Sequence, residues 1–185
     1  MLFRSVWSYS GGALYCRLNT TNAGANVTTA QPVFNVGVTL ASSTVYAFEA
    51  VYILTKTAGG VLHVVQTLFG GTATINDIAY MGLGSYAAGT LPLTINSGSS
   101  NFTIPVTNSA TTGVNVTPNI SSGTVVVSVK LIGTVSINAG GTFIPQYQLT
   151  AAPNGAYTVQ PGSFIRFTSL GASGTTTPTT QGTWA

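Results

Sequence analysis

Charge is what this sequence has least of. Five Lys and Arg and two Asp and Glu make up only 4% of the 185 residues, against about 25% in ordinary globular domains. The cations are scattered along the chain, so the clustered Lys and Arg of nucleic-acid-binding proteins are missing and we expect no such partner. Mixed surface charge keeps monomers apart. Its scarcity therefore indicates a protein whose faces are covered by partners or displayed on a particle.

Cysteine is limited to Cys16, which excludes an internal disulfide and a cysteine-based metal site. We expect Cys16 to behave as a small, partly buried apolar residue, with an intermolecular disulfide as the alternative. No run of about 18 apolar residues predicts a transmembrane helix. Polar residues and glycines interrupt any apolar segment in residues 1–16 that could form an export signal. We expect the protein to reach its site by assembly and to have no membrane partner.

Groups that could carry catalysis are also few, namely Glu49, Asp77, His63, Cys16 and hydroxyls. A glycosidase pair would need both carboxylates, yet Glu49 lies among apolar neighbours and is better interpreted as a structural carboxylate paired with a base or the backbone. No nucleophile motif accompanies His63 and Asp77. His63 offers one metal ligand, which would suffice only if a symmetry axis tripled it. We predict no enzyme, no cofactor and no metal site.

The sequence is rich in β-strand signals. Residues 45–55 read V-Y-A-F-E-A-V-Y-I-L-T, with both faces largely apolar, as in a strand covered on both sides. Glycine pairs between such runs are typical of hairpins. Two long hairpins are predicted, and they could correspond to each other in two facing sheets: 45–55 with 61–69, and 124–138 with 142–150. Gly133 inside the second hairpin predicts a bulge or bend.

Shorter strands are predicted at 33–40, 72–80, 101–106, 157–159 and 163–170, with loops over 81–100 and 111–123. Many short strands separated by turn signals predict an all-β protein with a jelly-roll-like antiparallel β-sandwich and extended terminal arms. We divide the chain into an N-terminal arm (1–30), a β-sandwich domain (31–170) and a Thr-rich C-terminal arm (171–185).

Both arms carry aromatic residues in Gly-, Ser- and Thr-rich surroundings that have little capacity to form a core. Buried aromatic residues dominate the energetics of many interfaces. We therefore predict that at least one arm docks onto another subunit, with Phe3, Trp7, Tyr9 and Trp184 as the candidate partner-docking residues. The alternative is that the arms fold back on their own sandwich.

Several segments, in this order, resemble modules of tailed-bacteriophage structural proteins. They are V-Y-A-F-E-A-V-Y-I-L at 45–54, F-G-G at 69–71, V-S-V-K-L-I-G-T-V at 127–135, N-A-G-G-T at 138–142, P-Q-Y-Q-L-T-A-A-P at 145–153 and P-G-S-F-I-R-F-T-S-L-G at 161–171. The order is similar to that of capsid-decoration, head-fibre and tail-adhesin domains, over roughly residues 40–171. The resemblance implies a jelly-roll-like sandwich, usually trimeric, with no catalytic residues.

The expected function is that of a capsid decoration or cement protein on the virion surface, more on the capsid exterior than on the tail. Its partners would be its own copies in a homotrimer and the major capsid protein or other virion proteins. The alternative is a tail-fibre or adhesin domain that binds host glycans, for which exposed members of the set Tyr80, Tyr86, Tyr147 and Tyr157 would serve as aromatic platforms. A cell-surface adhesin or pilus-like subunit is a third class, disfavoured by the missing export signal.

Overall fold

The computed structural model describes residues 8–10, 12–88, 100–103, 106–107 and 110–174, with residues 8–10, 100–103 and 106–107 described for their backbone only. The described residues are all-β and form these strands: β1 Ser8–Ser10, β2 Ala13–Arg17, β3 Asn22–Ala23, β4 Gln31–Pro32, β5 Val38–Leu40, β6 Thr44–Lys56, β7 Val65–Gly71, β8 Thr74–Ala88, β9 Ser100–Thr103, β10 Val106–Thr107, β11 Val114–Asn115, β12 Val125–Ala139, β13 Gly141–Leu149, β14 Thr158–Val159 and β15 Phe164–Ala172.

Two antiparallel sheets pack face to face. The larger sheet has the order β1-β2-β15-β6-β12-β8-β10, with β9 also on β8, and β14 joining β6 to β3. The smaller sheet has the order β11-β7-β13-β4, with β5 also paired to β13. The predicted all-β sandwich is therefore confirmed.

The path of the chain between the sheets follows the jelly-roll plan. Strands β2, β6, β12 and β15 lie together in the larger sheet, whereas β5, β7, β11 and β13 belong to the smaller one. Followed along the chain, these eight strands change sheet at every step except from β7 to β11, which both belong to the smaller sheet, as in a double-sheet jelly roll. The segment β8–β10 comes between β7 and β11 in sequence and extends the larger sheet beyond β12.

The two long hairpins expected from the sequence are not hairpins. β6 and β7 lie in different sheets, and so do β12 and β13, while β6 pairs with β12 and β7 pairs with β13. Register shifts between Ser136 and Ala139 mark the point where β12 leaves the larger sheet, because bulges bend a strand. A side chain on Gly141 would lie 2.7 Å from the backbone nitrogen of Ala73, so the glycine permits the close approach at this corner.

Alternate residues of the facing strands form the core between the sheets. On β6 the buried residues are Tyr46, Phe48, Ala50, Tyr52 and Leu54. Aromatic rings join the sheets across this layer, with centroid distances of 5.4 Å between Phe48 and Phe69 and 5.8 Å between Phe143 and Phe167. Such edge-on contacts are favourable for aromatic pairs.

Two local predictions were wrong. The loop expected from residue 81 is a continuation of β8 to Ala88, and residues 89–99 lie outside the described part. The sequence does not predict this part of β8, because Gly82 and Gly84 occupy the inward positions, where a strand normally has an apolar side chain. Gly133 lies in regular register opposite Tyr80 and Phe48 rather than in a bulge.

The ends of the sandwich also differ from the predicted division. Within the expected N-terminal arm (1–30), β2 pairs with β15 and β3 pairs with β14, and Cys16 and Leu18 are buried in the core. At the other end, β15 continues to Ala172, beyond the expected boundary at residue 170. β2 joins the larger sheet because its inward residues Leu14 and Cys16 lie opposite Phe167 and Ile165 of β15.

Candidate functional site

The predicted docking residues fall almost wholly outside the described residues. Phe3, Trp7 and Trp184 lie outside them. Tyr9 belongs to β1, where its backbone pairs with that of Leu14, but its side chain is not among the described ones. The prediction that an arm docks on a partner stays a prediction.

Glu49, Asp77 and His63 do not converge on one site. Glu49 points outward from the larger sheet, its carboxylate 2.7 Å from the Arg166 guanidinium and 3.8 Å from the Lys130 ammonium. Asp77 is exposed on β8 opposite Ser136. Among the described residues no group of three or more His, Cys, Asp or Glu could hold a metal ion. Glu49 is therefore paired with basic side chains, as expected from the sequence.

His63 and Lys56 belong to a buried polar cluster near one end of the sandwich. The Nδ1 atom of His63 lies 2.7 Å from the Val61 carbonyl oxygen, and its Nε2 atom lies 2.8 Å from the Tyr157 hydroxyl. The neutral ring satisfies both contacts by donating from Nδ1 and accepting at Nε2. Burial lowers the pKa of His63, and the nearby Lys56 lowers it further. A buried histidine of this kind is a poor ligand for a metal on a subunit axis.

The Lys56 ammonium is buried, and within the described part of the chain it has no carboxylate partner. It donates to the carbonyl oxygens of Ala58 at 3.1 Å, Ser122 at 2.7 Å and Gly123 at 3.2 Å, and also to that of Gly59. Burial lowers the pKa of this lysine, because the ammonium loses its hydration. The carbonyl oxygens replace part of that hydration and tie the loops after β6 and before β12 to one another.

The tyrosines considered as glycan platforms are mostly in the core. Tyr80, Tyr147 and Tyr157 are buried, and only Tyr86 is partly accessible. Each occupies an inward position, where its ring packs between the sheets.

Cys16 is buried as well. Burial raises the pKa of its thiol to about 11 and covers its sulfur, in agreement with an apolar role rather than an intermolecular disulfide.

A surface that sequence reasoning missed lies on the outer face of the larger sheet. Strand register places ten side chains in two neighbouring cross-strand rows, because residues two apart on a strand share a face. The first row contains Met81, Ile132, Glu49, Arg166 and Tyr15. The second row contains Leu83, Lys130, Val51, Phe164 and Arg17. We call these two rows the outer-face patch.

The outer-face patch concentrates charge in a protein that has little. It holds four of the seven charged residues of the chain, namely Arg17, Glu49, Lys130 and Arg166. Glu49 lies between its two cationic neighbours, which leaves the patch with a net charge of +2. Lys130 and Arg166 are more than half exposed, with side-chain exposures of 51% and 60%.

The same patch exposes large apolar side chains. Tyr15, Met81, Leu83 and Ile132 are between 37% and 43% exposed, and they account for half of the eight large hydrophobic residues that are exposed in the described part. A shallow cleft of about 330 Å³ lies along the first row, lined by Glu49, Ile132, Arg166, Ala47 and Thr168 among others. Apolar side chains rimmed by charge are typical of interaction surfaces.

One sequence signal pointed toward this surface. The run at 45–55 is apolar on both faces, and we expected both faces to be covered. In the structure, Val51 and Ile53 on the outer face are half-buried. The other members of the patch come from strands far apart in sequence, so only the register brings them together.

Comparisons with known proteins show no family for this chain. No protein-family model matches the chain, and no curated protein matches it. In the described residues no helix is long and apolar enough to cross a membrane.

One solved structure that is distantly similar is described as "Structure of infectious bursal disease virus Gx strain", with 9% sequence identity and a TM-score of 0.22. The likeness covers 84% of this chain and 38% of the viral chain, so this protein spans well under half the length of that neighbour. At such a TM-score the likeness supports no conclusion about function.

Proposed function

We propose that this protein is a structural component of a tailed-bacteriophage virion, and specifically a capsid decoration protein that binds the major capsid protein on the outside of the shell. In this role it has no catalytic activity, and it acts as a homotrimer. Its contribution is to bridge neighbouring capsid subunits through many weak contacts.

The observation that carries this proposal is the outer-face patch on a jelly roll. Jelly rolls recur in viral capsid and lectin domains, although a fold alone does not define a function. The patch supplies what a binding role needs, namely exposed Met81, Leu83 and Ile132 beside charged groups. The resemblance of residues 40–171 to phage virion modules supports the same role.

A second candidate is a tail-fibre or adhesin domain that binds host glycans. The cleft beside Glu49 and Arg166 favours it, because a carboxylate and a guanidinium can hydrogen-bond sugar hydroxyls. Tyr15, which pairs with Arg166 across the sheet, offers an exposed ring nearby. In this candidate the glycan would contact Glu49, Arg166 and Tyr15, not the tyrosines that the structure places in the core.

Electron microscopy of virions tests the proposal. An antibody against the protein, applied to virions of the phage that encodes the chain, is expected to label the capsid exterior at many regularly spaced positions. Antibody pre-absorbed with the purified protein is the control. Label restricted to the tail would favour the adhesin, and virions that lack the protein altogether would contradict both candidates.

A further inference from the structure

We infer that the outer-face patch is a docking surface for a protein surface on which carboxylates stand among apolar side chains. The inference rests on the proposed function in one respect, namely that the partner belongs to the same particle. Its chemical content comes from the patch itself, through its charge, its apolar area and the arrangement of the two.

The charge of the patch selects an acidic partner. The patch holds three cations, Arg17, Lys130 and Arg166, but a single carboxylate. That carboxylate, of Glu49, is already engaged by Arg166 at 2.7 Å. Asp77 lies on the same strand as Met81 but four residues away, about 13 Å along the strand, and therefore outside the two rows. A partner with carboxylates opposite Arg17 and Lys130 would neutralise the excess charge, and such complementarity steers association and fixes orientation.

The apolar part of the patch requires a partner that is also apolar. Met81, Leu83 and Ile132 adjoin one another on β8 and β12, at the end of the rows away from Arg17. The cleft beside Glu49 includes Ile132 but not Met81 or Leu83. A sugar held in the cleft would leave these two side chains in water, whereas a protein surface can cover both ends of the patch.

A second copy of the same chain fits less well. Two patches that face each other would bring a net charge of +2 against another of +2, and like charges across an interface disfavour association. A nucleic acid is also disfavoured, because three cations beside a carboxylate neutralise few phosphates. The patch therefore favours a different protein, and self-association must use other surfaces.

Defined polymers can test this partner chemistry on the purified protein. We expect an immobilised random copolymer of Glu and Tyr to bind the protein, with an affinity that falls as salt is raised. A Lys–Tyr copolymer of equal length is expected not to bind, and poly-Glu is expected to bind at least tenfold more weakly than the Glu–Tyr copolymer, because it lacks apolar groups.

Matched variants locate the binding. Leu83→Ser and Ile132→Ser are each expected to weaken binding of the Glu–Tyr copolymer about tenfold. Arg17→Gln, at an exposed cation that Glu49 does not engage, is expected to weaken binding and flatten its salt dependence. Leu62→Ser is the control, because Leu62 is 56% exposed but lies in the loop between β6 and β7. Thermal unfolding checks that each variant is folded, as expected for exposed positions.

Several outcomes would overturn the inference. They are equal binding of the Lys–Tyr and Glu–Tyr copolymers, unchanged binding by both Leu83→Ser and Ile132→Ser, or an equal loss in Leu62→Ser. Self-association abolished by Leu83→Ser would assign the patch to a second copy, and sugar binding abolished by Glu49→Gln would assign it to a glycan. Because the copolymer assay uses the isolated protein, absence from virions would defeat the proposed function while leaving the partner chemistry measured.

Discussion

The larger and the smaller sheet turn different surfaces outward. Six of the seven charged residues lie on strands of the larger sheet, and five of these six side chains lie outside the core. The strands of the smaller sheet contain no charged residue in their described spans. Its outer face instead carries amides that bond to one another, from Gln148 to Gln66 at 2.8 Å and from Gln66 to Asn115 at 2.7 Å.

This difference indicates two ways of finishing a sheet surface. These three amides, which we call the amide ladder, are linked by two hydrogen bonds across β13, β7 and β11. Part of their hydrogen-bonding capacity is therefore satisfied within the sheet, and they gain less from a partner. The outer-face patch leaves apolar side chains in water and an excess of positive charge, so it gains from being covered. Four of the few charges of the chain therefore lie on the outer-face patch, whereas the described strands of the smaller sheet carry none.

The largest expected effect is the loss of stability when the buried charge of the larger sheet, that of Lys56, is removed. The other charged side chains of this sheet lie outside the core. Lys56→Met removes the ammonium that four carbonyl oxygens accept from. We expect the free energy of unfolding to fall by about 3 kcal/mol, because buried acceptors lose their donor. Urea unfolding measures it.

Lys130→Met is the matched control for that experiment. It removes a half-exposed lysine from the same sheet and should change stability by no more than about 0.5 kcal/mol. Equal losses for the two lysines would show that the carbonyl cage around Lys56 contributes nothing specific.

The sequence predicted the fold class but not which sheet each strand joins. Alternation along β6 and β12 indicates which residues face the core, and it predicted the sandwich correctly. It does not indicate which sheet a strand joins, because an inward residue looks the same on either side of the core. The β6–β7 and β12–β13 corners were therefore interpreted as hairpins.

The outer-face patch was still harder to predict. Tyr15, Glu49, Met81, Ile132 and Arg166 become neighbours only when five strands are aligned in register. The Lys56 cage was hidden for a related reason. Its acceptors are backbone carbonyls in two loops, and backbone oxygens leave no mark in the sequence.

A pH series tests the buried polar cluster near one end of the sandwich, since His63 is the single histidine of the chain and is buried there. Its pKa is lowered in the folded state, so the folded protein binds fewer protons than the unfolded chain below about pH 6.5. Stability should therefore be complete above that pH and fall as the pH drops through the folded pKa, by at most about 1.4 kcal/mol per pH unit.

His63→Gln, whose amide can keep both hydrogen bonds, should remove this acid sensitivity. Chemical unfolding at a series of pH values from 7 to 5 gives the slope for each protein. An unchanged slope in His63→Gln would mean that carboxylates rather than this histidine set the acid response.

The smallest expected effect bears most directly on the two faces. Gln66→Ala removes the central amide of the ladder, which bonds to both Gln148 and Asn115. Because the ladder is partly exposed, we expect the free energy of unfolding to fall by only about 1 kcal/mol. Leu83→Ala, on the opposite face, should cost less than about 0.5 kcal/mol, since Leu83 is 43% exposed. Parallel urea unfolding of the two variants measures both values.

The same two variants also separate the faces by binding. If the smaller sheet needs no partner and the outer-face patch binds one, Gln66→Ala loses stability and keeps binding to the Glu–Tyr copolymer. Leu83→Ala then keeps stability and loses binding. The reverse pattern would assign recognition to the amide ladder.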